Sequence, residues 1–266
     1  MRLKPIDPHD DVSLGDRAAG RPKHAPEGDE LREAADKQTE RISELQKVFY
    51  ADGRFALLII LQGRDASGKD GTIKHVFSAV NPQGCEVTSF KAPTEHESRH
   101  DFLWRVHFRV PPRGVIGIFN RSHYEDILVP RVHGAITERE CEARYRQIND
   151  FERMLAENGV VILKFFLQVS RDEQKKRLTE RLTDPTKNWK FRVGDLDDRA
   201  RWKEYTKAYS DAVRQCSTKW APWYLVPADD KAVRNWLIAR TIADQLSDLH
   251  LKYPKASAEV RGLTID

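Results

Sequence analysis

The stretch Leu57-Leu58-Ile59-Ile60-Leu61-Gln62-Gly63-Arg64-Asp65-Ala66-Ser67-Gly68-Lys69-Asp70-Gly71-Thr72-Ile73-Lys74 decides the fold of this chain. Its aliphatic opening is long enough for one buried strand. The glycines and lysine that follow have the spacing of a phosphate-binding loop, G-x-x-x-x-G-K, with Asp70 where Ser or Thr is usual. Gly63 and Gly68 lack a Cβ, so the backbone can close into a concave nest of N–H donors around phosphate oxygens. A helix opening near Lys69 points its positive end at the same anion, and Lys69 adds a mobile charge. Ala66, Ser67, Gly71 and Thr72 complete the candidate phosphate- and nucleotide-binding segment. Asp70 reads as a hard oxygen for Mg²⁺ in place of the missing hydroxyl, or as an acid at a helix start. Asp65 would repel phosphate unless it orients an acceptor, shares a metal or bonds the loop backbone.

Outward from this loop, apolar strands alternate with helices. The pattern predicts a helix over about Asp29–Tyr50, then the first strand, and a helix from the loop to about Val80. A strand follows at Cys85–Phe90, and a helix capped by Thr94 that runs to about Phe108. Val115–Phe119 and Val160–Leu167 are two more wholly apolar strands. Between them lies a helix over about Thr137–Asn158. Ser170 caps a basic helix to about Thr183, irregular chain then gives way to helix as far as about Cys216, and Trp223–Val226 and Arg234–Leu249 form the last strand and helix. Strands apolar on both faces and separated by helices predict a parallel sheet covered on both sides, a three-layer α/β/α sandwich whose ligands bind beyond the carboxyl ends of the strands. The expected organisation is an irregular arm over 1–28, disordered or packed on a neighbour, one domain over 29–250, and a tail over 251–266.

Composition narrows the class. The chain has 266 residues, and its net charge of +4 does not demand nucleic acid. Cys85, Cys141 and Cys216 are scattered, without metal or disulfide spacing, which favours a reduced compartment. No apolar stretch is long enough for a membrane span. The expectation is therefore a cytoplasmic protein with neither nucleic-acid nor membrane partners.

Two further clusters carry chemistry. Asn120-Arg121-Ser122-His123-Tyr124-Glu125-Asp126 follows the second apolar strand. Arg121 can fork onto phosphate oxygens, and Glu125 and Asp126 can hold metal directly or through water. His123 is at least as good a packing residue. Lys187, Lys190 and Arg192 lie in a basic segment, flanked by Lys175, Lys176, Arg177, Arg181 and Arg199, where nucleotide kinases carry a closing lid. A solvated charged face is the alternative.

With GRDASGKDG, KAPTE, FNRSHYED, NWKFRVGDL and APWYLVPA in order over about residues 40–250, the chain resembles the polyphosphate kinase 2 family. That resemblance implies a thymidylate-kinase-like P-loop core with a helical lid at about 184–203, Mg²⁺, and phosphoryl transfer between inorganic polyphosphate and nucleotides. It assigns catalysis to Asp65, Lys69, Asp70 and Arg121, with Glu125 and Asp126 beside them, and polyphosphate contact to Lys187, Lys190 and Arg192. Asp65, Asp70 and Asp126 are the expected metal ligands. Many members have Asp where this chain has Asn120, which puts a metal contact there in question. The NRSHYED form is similar to the branch that accepts both nucleoside mono- and diphosphates, adenine and also guanine. A homo-oligomer, dimer or tetramer, is implied. The rival readings are an ATP-dependent nucleoside monophosphate kinase and a non-catalytic nucleotide- or polyanion-binding protein.

Overall fold

In the computed structural model, which describes residues 1–8 and 10–265, the aliphatic run forms strand β1 (Ala56–Gln62), and every residue of it is buried. Four more strands join it: β2 (Cys85–Ser89), β3 (Ile116–Asn120), β4 (Val160–Gln168) and β5 (Trp223–Pro227). The order is β2-β3-β1-β4-β5 and every pairing is parallel. The register sets Leu61 opposite Asn120 on one side and Phe165 on the other. Successive side chains of a strand alternate between faces, so β1 feeds two cores. Leu57, Ile59 and Leu61 pack toward α1 (Gly28–Asp52), α2 (Lys69–Val76) and α9 (Lys231–Asp248). Leu58 and Ile60 pack toward α4 (Glu125–Val132), α5 (Glu138–Glu157) and α8 (Trp202–Cys216). Each such Leu or Ile contributes roughly 1.5–3 kcal/mol on burial. The result is the expected three-layer α/β/α sandwich.

Local chemistry sets the helix ends. Gly53, at φ 63°, stops α1. Thr137 and Glu140 form a reciprocal capping box on α5, Ser170 caps α6 (Arg171–Thr183), and Asp230 caps α9.

The structure departs from the sequence pattern in three places. The helix expected from Thr94 to Phe108 is only a short 3₁₀ turn at Glu97–Arg99 and one helical turn, α3 (Trp104–His107). Thr94 does cap, but Asp101 interrupts the run by bonding the Leu103 N–H at 3.0 Å. The stretch after β3, to which the sequence pattern assigns no helix, turns directly into α4, with Glu125 and Asp126 in its first turn. The arm over 1–28 packs on its own chain. Ile6 N donates to Trp223 O at 2.8 Å, Gln168 donates to Leu14 O at 2.7 Å, Arg21 pairs with Asp230 at 2.6 Å, and Leu14 and Ala19 are buried. His9 of that arm and Asp266 of the tail lie outside the described residues. Among the described residues, no helix is long and apolar enough to cross a membrane.

Candidate active site

β1 lies at the middle of the sheet between β3 and β4, and the loop 63–68 follows it at the carboxyl edge, where ligands of such sheets bind. Its bends need the glycines. Gly63 has φ 151°, and a Cβ there would lie 2.7 Å from Leu167 O. Gly68 has φ 102°, and a Cβ there would run into the Arg234 guanidinium. Ala66 takes φ 61° without that freedom. α2 begins at Lys69, so its first N–H groups, including that of Gly71, open toward the loop without helical acceptors, while the Thr72 N–H makes the first helical bond, to Gly68 O at 2.9 Å. The Ser67 and Thr72 hydroxyls are fully buried with no hydrogen-bond partner among the described residues. Buried hydroxyls left unpaired beside a glycine nest suit a phosphate ligand.

Lys69 folds back over the loop, donating to Gly63 O at 2.7 Å and Arg64 O at 3.2 Å. Burial, aided by the Arg121 charge, lowers its pKa to about 8. Arg121 arrives from the end of β3, with its own backbone at φ 63°, and donates to Asp65 at 2.6 Å. Burial pushes Asp65 up, but Lys69, Arg121 and Arg181 together reverse this and hold the carboxyl below its usual range. Glu125 behaves oppositely. Burial outweighs Arg121 and Lys69 and raises it. In the amide orientation that satisfies its neighbours, Gln62 donates to Glu125 at 2.9 Å. Asp65, Arg121, Glu125, Tyr205 and Tyr209 line one cleft at the loop. A larger groove around Trp104, Phe108 and Phe151 includes none of the loop residues.

Asp70 is more exposed and is met from two directions. Asn120 donates to it at 2.8 Å, and Lys190 of the lid segment sits 3.6 Å from its other oxygen. Burial pushes it up, while the Asn120 hydrogen bond and the Lys190 and Lys69 charges bring it below its ordinary value. The segment expected as a lid is a 3₁₀ turn at Asn188–Lys190 followed by α7 (Gly194–Ala200). Lys187 pairs with Asp184 at 2.8 Å instead of reaching the loop, and Arg192 is exposed.

Asp126 is not brought to the loop. It pairs with Arg105 at 3.0 Å and is absent from the cleft that holds Glu125, because adjacent positions at a helix start point in different directions. Its expected place among the metal ligands is therefore not supported by the geometry. No group of three or more His, Cys, Asp or Glu gathers to hold a metal by itself among the described residues. Of the expected carboxylates, Asp65 lines the cleft and Asp70 stands in the first turn of α2, and one or two carboxylates, completed by phosphate oxygens and water, are a donor set that a divalent ion takes.

Sequence reasoning missed the residues that hold the loop from behind. Arg177, grouped with the lid cations by its neighbours, turns inward and donates to Ala66 O at 3.0 Å and Ala228 O at 2.7 Å. Arg234 donates to Ser67 O at 3.2 Å, and Arg64 stacks on Trp202 at 3.9 Å. Arg234's place near the start of a mostly apolar final helix is the one local signal that it is buried.

Comparison with known proteins agrees with this geometry. The family model described as Polyphosphate kinase 2 (PPK2) matches residues 26–254. An AMP/ADP-polyphosphate phosphotransferase of Meiothermus ruber is 50% identical over 226 residues, 85% of each chain. An ADP-polyphosphate phosphotransferase of Rhodopseudomonas palustris is 45% identical over 83% of this chain and 80% of that protein. The crystal structure of polyphosphate kinase 2 from Arthrobacter aurescens TC1 superposes with a TM-score of 0.86 at 45% identity, covering 91% of this chain and 89% of the other.

Proposed function

This chain belongs to the polyphosphate kinase 2 family, and from that premise we propose how its residues divide the work of moving a phosphoryl group between inorganic polyphosphate and AMP or ADP. The chain is a polyphosphate:nucleotide phosphotransferase. A phosphate oxygen of the nucleotide attacks the terminal phosphorus of polyphosphate. The bond to the next phosphate breaks, and the donor leaves one unit shorter. The acceptor oxygen is already anionic near neutral pH, so positioning and charge stabilisation carry the catalysis.

The observation that carries this assignment is convergence. Lys69 from α2 and Arg121 from the end of β3 reach the loop itself, and Lys190 from the lid reaches Asp70 in the helical turn that follows it. Each cation is placed to meet charge spread over transferring phosphate oxygens. The loop N–H groups and the free Ser67 and Thr72 hydroxyls hold the phosphate. Arg121 bridges the loop and the cleft beside Glu125. Asp65 and Asp70 would hold a divalent ion, which we assign as magnesium and which would neutralise phosphate charge when bound. Residence in the cytoplasm, assembly as a dimer or tetramer and acceptance of guanine nucleotides complete the reading, on composition and family resemblance.

The deciding assay supplies purified protein with Mg²⁺, long-chain polyphosphate and AMP or ADP, and separates the nucleotides afterwards. ATP formed at the expense of polyphosphate is the expected result. Turnover with ATP as sole donor and none with polyphosphate would make the chain a nucleoside monophosphate kinase, and binding without turnover would leave it a polyanion-binding protein.

Two further outcomes follow from the site. Lys69 must carry its charge to hold phosphate, and its pKa in the free protein is lowered to about 8 by burial. The kcat/KM for polyphosphate, which reports the free enzyme, should fall as the pH rises through about 8. Stability moves the other way. The unfolded chain keeps this proton to its higher ordinary pKa, so lysine burial costs less as pH climbs from the folded value toward the unfolded one. Lys69→Arg should shift the limb of the rate profile upward, and an unmoved limb would assign it to another group.

The lid cations should serve the donor more than the acceptor. Polyphosphate offers only a row of charges, whereas a nucleotide also offers base and ribose. Lys190→Ala with Arg192→Ala should raise KM for polyphosphate by about tenfold or more, with a smaller change for ADP. It should also flatten the salt dependence of polyphosphate KM, since fewer condensed counterions are released on binding. Steady-state kinetics at two ionic strengths measure both effects, and equal losses for the two substrates would place the donor elsewhere.

A further inference from the structure

β4 reads Val-Val-Ile-Leu-Lys-Phe-Phe-Leu-Gln, and the one charge in its middle, Lys164, is fully buried. Lys164 shares its face of the sheet with Ile162 and Phe166, toward α5, from which Glu152 points in, also fully buried. All three protons of the ammonium have acceptors: Glu152 Oε2 at 2.5 Å, Cys216 O at 2.6 Å and the Tyr124 hydroxyl at 2.9 Å. Glu152 Oε1 in turn accepts from Tyr124 OH at 3.0 Å and lies 3.1 Å from His123 Nε2. Neither charge reaches water, and of the network's side chains only His123, through Nδ1, leaves a buried polar atom without a partner among the described residues.

Such a buried pair is weak as a source of stability. Well-packed apolar residues of similar volume often do as well or better. Its membership is more informative. Two of its four side chains are His123 and Tyr124, which stand between Arg121 and Glu125 in the chain. Ser122, also fully buried, lies 3.1 Å from the Gln62 amide at the end of β1. Three consecutive residues are thus tied to β1, α5 and β4. Directly before them Arg121 sits at φ 63°, a backbone that a non-glycine residue holds only when its surroundings impose it. Directly after them Glu125 opens α4.

We propose that Tyr124, His123, Glu152 and Lys164 are positioning residues for phosphoryl transfer, a buried ionic anchor that fixes Arg121 and Glu125 in the cleft. The proposal rests on the phosphotransferase reading and adds to it an origin for the placement of its arginine. None of the four touches the cleft, so each acts through Arg121 and Glu125.

Tyr124→Phe keeps the ring and removes only the hydroxyl that bonds both Lys164 and Glu152. Activity is read per folded molecule, with the folded fraction taken from thermal melts. kcat should fall by about tenfold, since small misplacements of positioned groups are costly, while KM for ADP changes by less than about threefold. A double-mutant cycle supplies the decisive readout. On an Arg121→Ala background the Tyr124→Phe loss should shrink from about tenfold to about threefold or less, because one of the two residues that transmit it is gone. A kcat per folded molecule near that of the parent overturns the proposal. So does a loss that persists undiminished without Arg121. The paired variant Glu152→Gln with Lys164→Met, which removes both charges together, is held to the same criteria if Tyr124→Phe does not fold. If neither folds, the network serves stability and the proposal fails. Absence of turnover in the parent protein would instead defeat the phosphotransferase reading itself.

Discussion

Lys69→Ala should lower kcat/KM for phosphoryl transfer by about 10²–10³ while the melting transition stays close to that of the parent. Lys69 is buried at the mouth of the loop, and its ammonium is held by two backbone carbonyls, Gly63 O and Arg64 O. No carboxylate takes it as a direct partner among the described residues. Its removal therefore exposes no unpaired buried acid, and a pKa lowered to about 8 already shows that the fold holds the charge at a cost. In the function proposed above, the lost group is the one that meets phosphate at the loop. Rate measurements with both donor and acceptor varied, beside a thermal melt, check the claim. A variant that turns over near the parent rate would show that the glycine loop does not hold the transferring group.

Arg121→Ala should have an effect of the same order, about 10²–10³ in kcat/KM, and Arg121→Lys should recover only a small part of it. The guanidinium does two things at once. It donates to Asp65 at 2.6 Å, and its charge opposes the burial that raises Glu125. Without it two carboxylates face one cleft with less compensating charge, and both should bind protons more readily. A lysine restores charge but not the planar fork. Kinetics of the alanine and lysine variants side by side make the test. Full recovery by lysine would mean that only net charge matters at that position, and that the geometry imposed on Arg121 by its strained backbone has no role in the reaction.

Much of the site was legible because its physics is local. Phosphate binding needs glycine where the backbone must turn with positive φ, a lysine one position on, and a helix start. These lie within a few residues of one another, and the structure finds Gly63, Gly68 and Lys69 in those conformations. The buried strands were legible for the same reason. A run such as Leu57–Leu61 can be satisfied only inside a sheet covered on both faces. The failed helix at Thr94–Phe108 shows the limit of that logic. Its spacing suited a helix, but Asp101 spends its side chain on the backbone of Leu103 and ends the continuity.

The sequence by itself determined the strand–loop–helix unit, the alternation that builds the parallel sheet, and the residue types placed at the ends of β1 and β3. Only the tertiary structure decided which of those charges meet. Glu125 and Asp126 are neighbours with the same chemistry, yet one lines the cleft and the other pairs with Arg105, since the first turn of α4 aims them apart. Arg177 and Arg181 stand one helical turn apart in a basic helix, yet Arg177 grips the loop backbone while Arg181 reaches Asp195. Arg234 bonds Ser67 across 167 residues, and Lys164 finds Glu152 and Tyr124 from different layers. Backbone conformation follows from sterics between adjacent residues and can be read along the chain. The partner of a long charged side chain depends on which face of which layer it leaves from, and that is fixed only when the layers pack.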